Sequence, residues 1–483
     1  MARDGNESYD LIVIGAGGAG STAASEAVQR GAKVALIERW KVGGTCLNTG
    51  CDPTKTMVRS AEIIHLGRHA ERFGIEVDST RVDWPAVMQR VERVIDTIRG
   101  GDGDQNIRDS GVELYKAAAT FRGPNSLDVG GEEIRGDKII IATGARNVIP
   151  AIEGLNDAGY ITNNEAVALP RLPRSLGIIG AGVVGVEFAQ LFARFGVEVT
   201  LFGRRERVLP QEDAELTEAL RGYLERDGVR VLMSSRVRCV GLGGADKVLR
   251  ADWNGEQVEV RCEEILVAVG RKPAVEGLNL EAVGIAFSED GITVDDQLRT
   301  TAENVWAIGD VTGIKPFTHV ADYHARIAEH NALSDRPPRT ADYRSIPHAI
   351  FTDPELGRVG MTEDEAKAAG YDVKCATVKM RDLGRAITSG ETDGMVKLVA
   401  DRATGQVVGG HVLAARGGEL LPQIALAMRM RLPVSAIAET IHAYPTLSEA
   451  VFWAAFELAK PDDPAIEAVR GVSAPAGEAM EDV

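Results

Sequence analysis

In the stretch VGGTCLNTGCDPTKTMVRSAE, Val42 to Glu62, Cys46 and Cys51 stand with four residues between them, beside glycines and at the mouth of a run that reads as helix. Two thiols so placed suit three chemistries: metal ligation, a structural staple and redox catalysis. Thiolate is the reactive form for exchange with a disulfide and for binding a soft metal. Spacing alone leaves all three open. Zinc is disfavoured, because no second CxxC and no nearby His pair completes a ligand set. The other cysteines, Cys239, Cys262 and Cys375, lie singly in strand-like runs and read as small core residues.

The elements that must position this pair come from an internal echo. YDLIVIGAGGAGSTAASEAVQRGAKVALIERW and SLGIIGAGVVGVEFAQLFARFGVEVTLFGRRERVLP each read as buried strand, glycine turn, helix and second strand. Gly15, Gly17 and Gly20 mark one turn; Gly180, Gly182 and Gly185 mark the other. Such a turn lets backbone N–H groups and a helix N-terminus reach a pyrophosphate. The second strands differ. The first copy ends at Glu38, where an acid bonds a ribose 2′-hydroxyl, so this site suits FAD or NAD. The second places Gly203 there, followed by Arg204, Arg205 and Arg207. Loss of the acid removes repulsion toward a 2′-phosphate, and each arginine offers a charge-assisted bond of about 1.5–3 kcal/mol. That site suits NADPH.

Further strands, DKIIIATGARNVIP and EEILVAVGRKPAVEGL, end in glycine and close the two dinucleotide domains, with Thr143 and Gly144 assigned to the flavin side. TTAENVWAIGDVTG carries Asp310 at a strand end, placed for sugar hydroxyls. From about Ser345 short β-type runs alternate with helices, an α+β domain, and the tail after Pro464 is expected to fray.

The chain has 483 residues, 44% hydrophobic and 26% charged, which suits a multidomain globular protein. A net charge of −17 argues against nucleic-acid partners and acidic membrane surfaces. No apolar run reaches the roughly 20 residues of a membrane span. MARDGNESYD is unlike a secretory signal, and five cysteines do not make a disulfide scaffold. A cytoplasmic enzyme is expected.

With these residues assembled, the chain resembles the FAD-dependent pyridine nucleotide-disulfide oxidoreductases over roughly residues 8 to 460, and GGTCLNTGCDPTK looks like that family's redox-active disulfide. The resemblance implies an α/β fold with two Rossmann-like dinucleotide-binding domains, for FAD and NADPH, and a C-terminal α+β dimerisation domain. The expected division is 1–150 for FAD with the redox pair, 151–285 for NAD(P)H, 286–344 for the second part of the FAD domain, 345–465 for the homodimer interface, and 466–483 as a flexible tail. It implies that Asp310 and Thr318 touch FAD, that Lys55 and Glu187 form an ion pair near the flavin, and that Gly270 lines the nicotinamide site. Electrons would run from NADPH through FAD to a Cys46–Cys51 disulfide, Cys51 facing the flavin and Cys46 exchanging with substrate. A helix beginning near Pro53 would favour the Cys51 thiolate through its positive end. Asp52 is expected as its N-cap, ahead of Pro at the first helical position.

One motif departs from the dithiol-handling members. In IHAYPTLSEAVFWAAF, Glu449 matches the acid of their His–Glu pair, but Tyr444 replaces the histidine and His442 falls two residues early, expected to face elsewhere. Unperturbed Tyr and His differ by about 3.5 pKa units, close to 5 kcal/mol, so ordinary lipoamide or glutathione-disulfide turnover is disfavoured. The tyrosine and the arginine loop are similar to the mercuric reductase branch. Its C-terminal cysteine pair has no counterpart after Cys375, and its N-terminal metal-trapping module is not expected here. The acceptor is thus expected to be a small disulfide or thiol-bound electrophile. The alternatives are a metal ion held as a thiolate, a quinone reduced at the flavin, or service as a lipoamide-dehydrogenase-like subunit of a larger complex.

Overall fold

The computed structural model describes residues 8–459; the expected frayed tail, 466–483, lies outside the described residues. The chain forms two compact units, Met1–Pro173 with Glu264–Ala341, and Arg174–Glu263 with Asp342–Val483.

In the first unit the strands Glu113–Tyr115, Val34–Ile37, Ser8–Ile14 and Glu132–Ile141 run parallel in that order, and Val305–Ala307 pairs the far end of the last. Antiparallel Ser126–Val129 and Ala119–Gly123 complete the sheet. Its central strands are apolar over Leu11–Ile14, Val34–Ile37 and Ile139–Ile141, where both faces are covered. Strand alternation divides their side chains between two cores. Leu11, Val13, Leu36 and Ile140 pack on one side against Ala19, Ala23 and Ala27 of the helix Gly18–Gln29 and Ala321, Ala325 and Ala328 of the helix Thr318–Leu333. Ile12, Ile14, Ile37, Ile139 and Ile141 face Phe121 and Leu127 on the other. The alanines let two helices approach one sheet closely, which brings the start of Thr318–Leu333 into the site below.

In the second unit, Ser175–Ile179, Glu198–Phe202 and Arg230–Leu232 lie parallel, with the helix Val183–Arg194 following the second glycine turn. An antiparallel meander, Ser235–Gly243, Asp246–Trp253 and Glu256–Cys262, follows. The C-terminal part is a five-stranded antiparallel sheet whose strands Met395–Asp401 and Val407–Ala414 are buried along their whole length. The helices Gly417–Arg429 and Glu449–Leu458 share its core. This α+β architecture agrees with the sequence reading. Cys262 is buried as expected, but Cys239 and Cys375 are only half-buried. The Cys375 thiol is pushed up to about 11 by burial and then by the Glu363 carboxylate beside it, so it is not the plain core residue expected. No helix among the described residues is long and apolar enough to cross a membrane.

Candidate active site

The first glycine turn is built by close approach. Gly15 holds φ +105°, and a Cβ there would lie 2.4 Å from the Ala142 carbonyl oxygen. A Cβ on Gly20 would come within 1.8 Å of the Gly15 oxygen, so helix and strand meet there only without a side chain. Gly17 caps the helix with no side-chain hydrogen bond, and its first turn holds no acid. The helix N-terminus is thus left without a side-chain cap, its N–H groups available to an anion. Glu38 is fixed at the next strand's end, accepting the Ala16 amide and the Trp40 amide, each at 2.7 Å. Beside this turn the Thr143 hydroxyl donates to the Ala274 carbonyl at 2.8 Å, and Gly144 takes φ +71°. These residues fit a flavin dinucleotide, with a helix end for pyrophosphate and acids for sugar hydroxyls.

The cysteine pair is mounted on two helical pieces. Cys46 belongs to the short helix Gly44–Thr49, and Cys51 is the first residue of Cys51–Arg68. Gly50 makes the break; a Cβ on it would lie 2.9 Å from the Thr45 oxygen. Two expectations are corrected here. The helix starts at Cys51 rather than near Pro53, and its N-cap is Gly50, not Asp52. Asp52 instead lies inside the first turn, where its backbone oxygen accepts the Thr56 hydroxyl at 2.7 Å and its carboxyl is raised by burial. The break arises because Gly50 (φ −126°, ψ −109°) adopts backbone angles that end one helix and start the next without Asp52.

Both cysteines carry free thiols, and the Thr318 hydroxyl reaches both, 3.4 Å from Cys46 Sγ and 3.5 Å from Cys51 Sγ. The Cys51 thiol is drawn down to about 6, first by the hydrogen bond from Cys46, then by Thr318 and the Lys55 cation, against burial and Asp52. Cys46 moves the other way, raised by its hydrogen bond to Cys51 and by burial. In this dithiol form Cys46 keeps the proton and Cys51 the charge. Asn48 donates to the Val42 carbonyl at 3.0 Å, and Asn163 to the Thr49 carbonyl at 2.8 Å, holding the short helix in place. Arg271 donates to the Thr45 hydroxyl at 3.2 Å and to the Ala145 carbonyl at 2.7 Å, with a nitrogen 3.7 Å from Asp310 Oδ2. Asp310 is largely buried; burial raises its carboxyl and Arg271 opposes that. Arg271 was not singled out in the sequence, although it directly follows Gly270. His65 and His69, rings 4.4 Å apart, lie at the far end of the Cys51 helix, about 21 Å along it from Cys51 at 1.5 Å per residue. No group of three metal-ligating side chains occurs among the described residues.

Cys46, Cys51, Lys55, Thr318, Asp310 and Gly270 thus share the first unit. Gly270 has φ +123° and open space where a Cβ would point. The second unit holds the other glycine turn, which repeats the first: a Cβ on Gly185 would lie 1.8 Å from the Gly180 oxygen, and Gly182 caps its helix without a side-chain bond. Arg204 and Arg205 are exposed beside Gly203, whereas Arg207 donates to the Thr217 hydroxyl at 3.3 Å. The strand end at Gly203 is thus followed by two exposed arginines. Glu187, also there, is buried and accepts the Phe351 amide at 2.8 Å.

At the C-terminal motif Tyr444 is 79% exposed, and Glu449 accepts the Thr446 amide at 3.1 Å. His442 is engaged at both ring nitrogens, by the Thr440 carbonyl (2.8 Å) and Gln423 Oε1 (3.1 Å).

Comparison with known proteins places this geometry among relatives. The sequence profile described as pyridine nucleotide-disulphide oxidoreductase matches residues 9–326, and that of its dimerisation domain matches residues 346–455. The chain is 37% identical to a mercuric reductase of Bacillus cereus over 92% of its own length and 71% of the relative's. It is 34% identical to a dihydrolipoyl dehydrogenase of Bacillus subtilis (strain 168), over 92% of this chain and 96% of the other. Among solved structures, the Cu(II) complex of the HOCl-induced flavoprotein disulfide reductase RclA from Escherichia coli superposes with a TM-score of 0.84. That pair is 32% identical, over 94% of this chain and all of the other.

Proposed function

The chain belongs to the pyridine nucleotide-disulphide oxidoreductase family of FAD-dependent oxidoreductases, and from that premise we propose an NADPH-dependent reductase acting through Cys46 and Cys51 on a small disulfide or thiol-bound electrophile. The observation that carries this reading is the asymmetric pair: a Cys51 thiolate at a helix N-terminus, hydrogen-bonded by the Cys46 thiol, with Thr318 beside both. FAD, when bound, supplies two-electron transfer between the nicotinamide and this pair. Gly15, Gly17, Gly20, Glu38, Thr143, Gly144, Asp310 and Thr318 would hold it, with the Lys55 cation beside the Cys51 thiolate. Gly180, Gly182, Gly185, Arg204, Arg205 and Gly270 would hold NADPH. Cys46 attacks the substrate disulfide once its proton has moved to Cys51, the base already bonded to it; the first substrate thiolate leaves with that proton, and the Cys51 thiolate so restored displaces the second, which takes a proton from solvent, as the internal disulfide forms. Two electrons from NADPH restore the dithiol. The enzyme would act as a cytoplasmic homodimer through its C-terminal domain.

The test is thiol counting. Anaerobic NADPH should add two thiols to the oxidised holoenzyme, and none to Cys51→Ser. Two thiols gained by that variant would overturn the assignment.

A second reading is reduction of a soft metal ion. It is favoured by the exposed Tyr444 in place of a proton-shuttling base, and by the mercuric reductase relatives. Hg(II) held by excess small thiol would exchange onto the cysteine pair and take two electrons to Hg(0). NADPH oxidation under those conditions, measured against Cys46→Ser, decides it. Turnover that needs Cys46 supports metal reduction, and none directs the search to small disulfides.

A further inference from the structure

His324 is fully buried, yet the chemistry above does not use it. Its Nδ1 accepts the Gly309 amide at 3.2 Å, while the Gly309 carbonyl accepts the Thr312 hydroxyl at 2.8 Å. Both peptide groups flanking the residue before Asp310 are therefore gripped. Gly309 itself takes φ +70°, and a Cβ there would lie 3.3 Å from the Ala321 Cβ and 3.4 Å from the Ala19 Cβ, so the turn is seated between two helices. A backbone N–H can only donate, so Nδ1 has to be bare and the ring neutral with its proton on Nε2. Burial favours that state, drawing the imidazole down to about 4. The helix that carries His324 opens with Thr318 against both sulfurs. One rigid element thus indexes the cysteine pair and the Asp310 turn together.

We propose that His324 is a positioning residue for the flavin: through the Gly309 amide it aims the Asp310 carboxylate at the cofactor's sugar hydroxyls. This rests on the reading of Asp310 as a flavin ligand. At the Gly309 amide His324 acts as an acceptor, so a shorter side chain with an oxygen in the same place should replace it in that bond.

The experiment titrates full-length, deflavinated protein with FAD, following flavin fluorescence and the bound flavin's visible band, beside thermal unfolding of the apoprotein. His324→Leu should raise the FAD dissociation constant about tenfold, the cost of one buried N–H without an acceptor. His324→Asn should recover most of that loss and the wild-type band shape. A Leu variant that binds FAD as wild type does, or an Asn variant no better than Leu, overturns the inference. Asp310→Asn separates the two readings. No loss of FAD affinity in that variant sinks the flavin role of Asp310 and this inference with it. Loss there, without loss in His324→Leu, sinks the inference alone. Should His324→Leu fail to fold, NMR of wild-type protein with nitrogen-labelled histidine decides. A bare Nδ1 and protonated Nε2 are expected at His324; a proton on Nδ1 overturns the proposal.

Discussion

Met233 occupies the space that any side chain at Gly203 would need: a Cβ there would lie 2.4 Å from Met233 Cε and 2.7 Å from its sulfur, with the Ala181 Cβ at 2.9 Å. The absence of an acid at the end of this strand is therefore a packing fact as well as an electrostatic one. Gly203→Glu should destabilise the protein by about 1–3 kcal/mol through overpacking. Adding Met233→Ala should recover part of that and shift preference toward NADH, read from melting temperatures and from kcat/KM for both dinucleotides. A double variant that keeps the wild-type preference would detach selectivity from this position.

Arg204 tests the phosphate clamp from the other side. It is exposed, so Arg204→Ala should leave the melting temperature nearly unchanged. The ratio of kcat/KM for NADPH over NADH should fall about tenfold or more, the worth of one charge-assisted bond. Equal use of both dinucleotides by the wild type would remove the clamp altogether.

The cysteine pair predicts a pH profile. Cys51 has a lowered pKa, so its thiolate is present above a pH of about 6 and is lost as pH falls through that value. In the dithiol form, alkylation of the pair should rise with that midpoint. Thr318→Val removes one hydrogen bond and should move the midpoint up by roughly one unit or less. Cys46→Ala removes the larger bond and should move it further. A midpoint unmoved in both would show that neither group sets the thiolate.

Tyr444, at 79% exposure, can accept a substitution with little cost to the fold. If proton transfer limits dithiol turnover, Tyr444→His should raise dihydrolipoamide oxidation by up to about a hundredfold, with its gain growing above the histidine pKa. Unchanged kcat would mean that the shape of the pocket limits that reaction.

Much of this was legible in one dimension. Glycine turns, buried strands and the paired cysteines are local patterns. Gly15 and Gly180 declare themselves because only glycine tolerates their backbone angles, and short continuous apolar runs mark the strands that carry them. Residue type at a strand end likewise separates Glu38 from Gly203 in the sequence alone. Sequence put the start of the Cys51 helix two residues late because Asp-Pro is a strong local cap signal, whereas the break is made by the backbone angles of Gly50, where a Cβ would crowd the Thr45 oxygen. What needed the tertiary structure is separated by long stretches of chain. Thr318 meets two sulfurs fixed some 270 residues earlier, Arg271 reaches Thr45, Met233 fills the space at Gly203, and His324 grips the turn before Asp310. No local propensity encodes such meetings. They follow from which helix packs on which face of the sheet, and those contacts set the charge of the thiols.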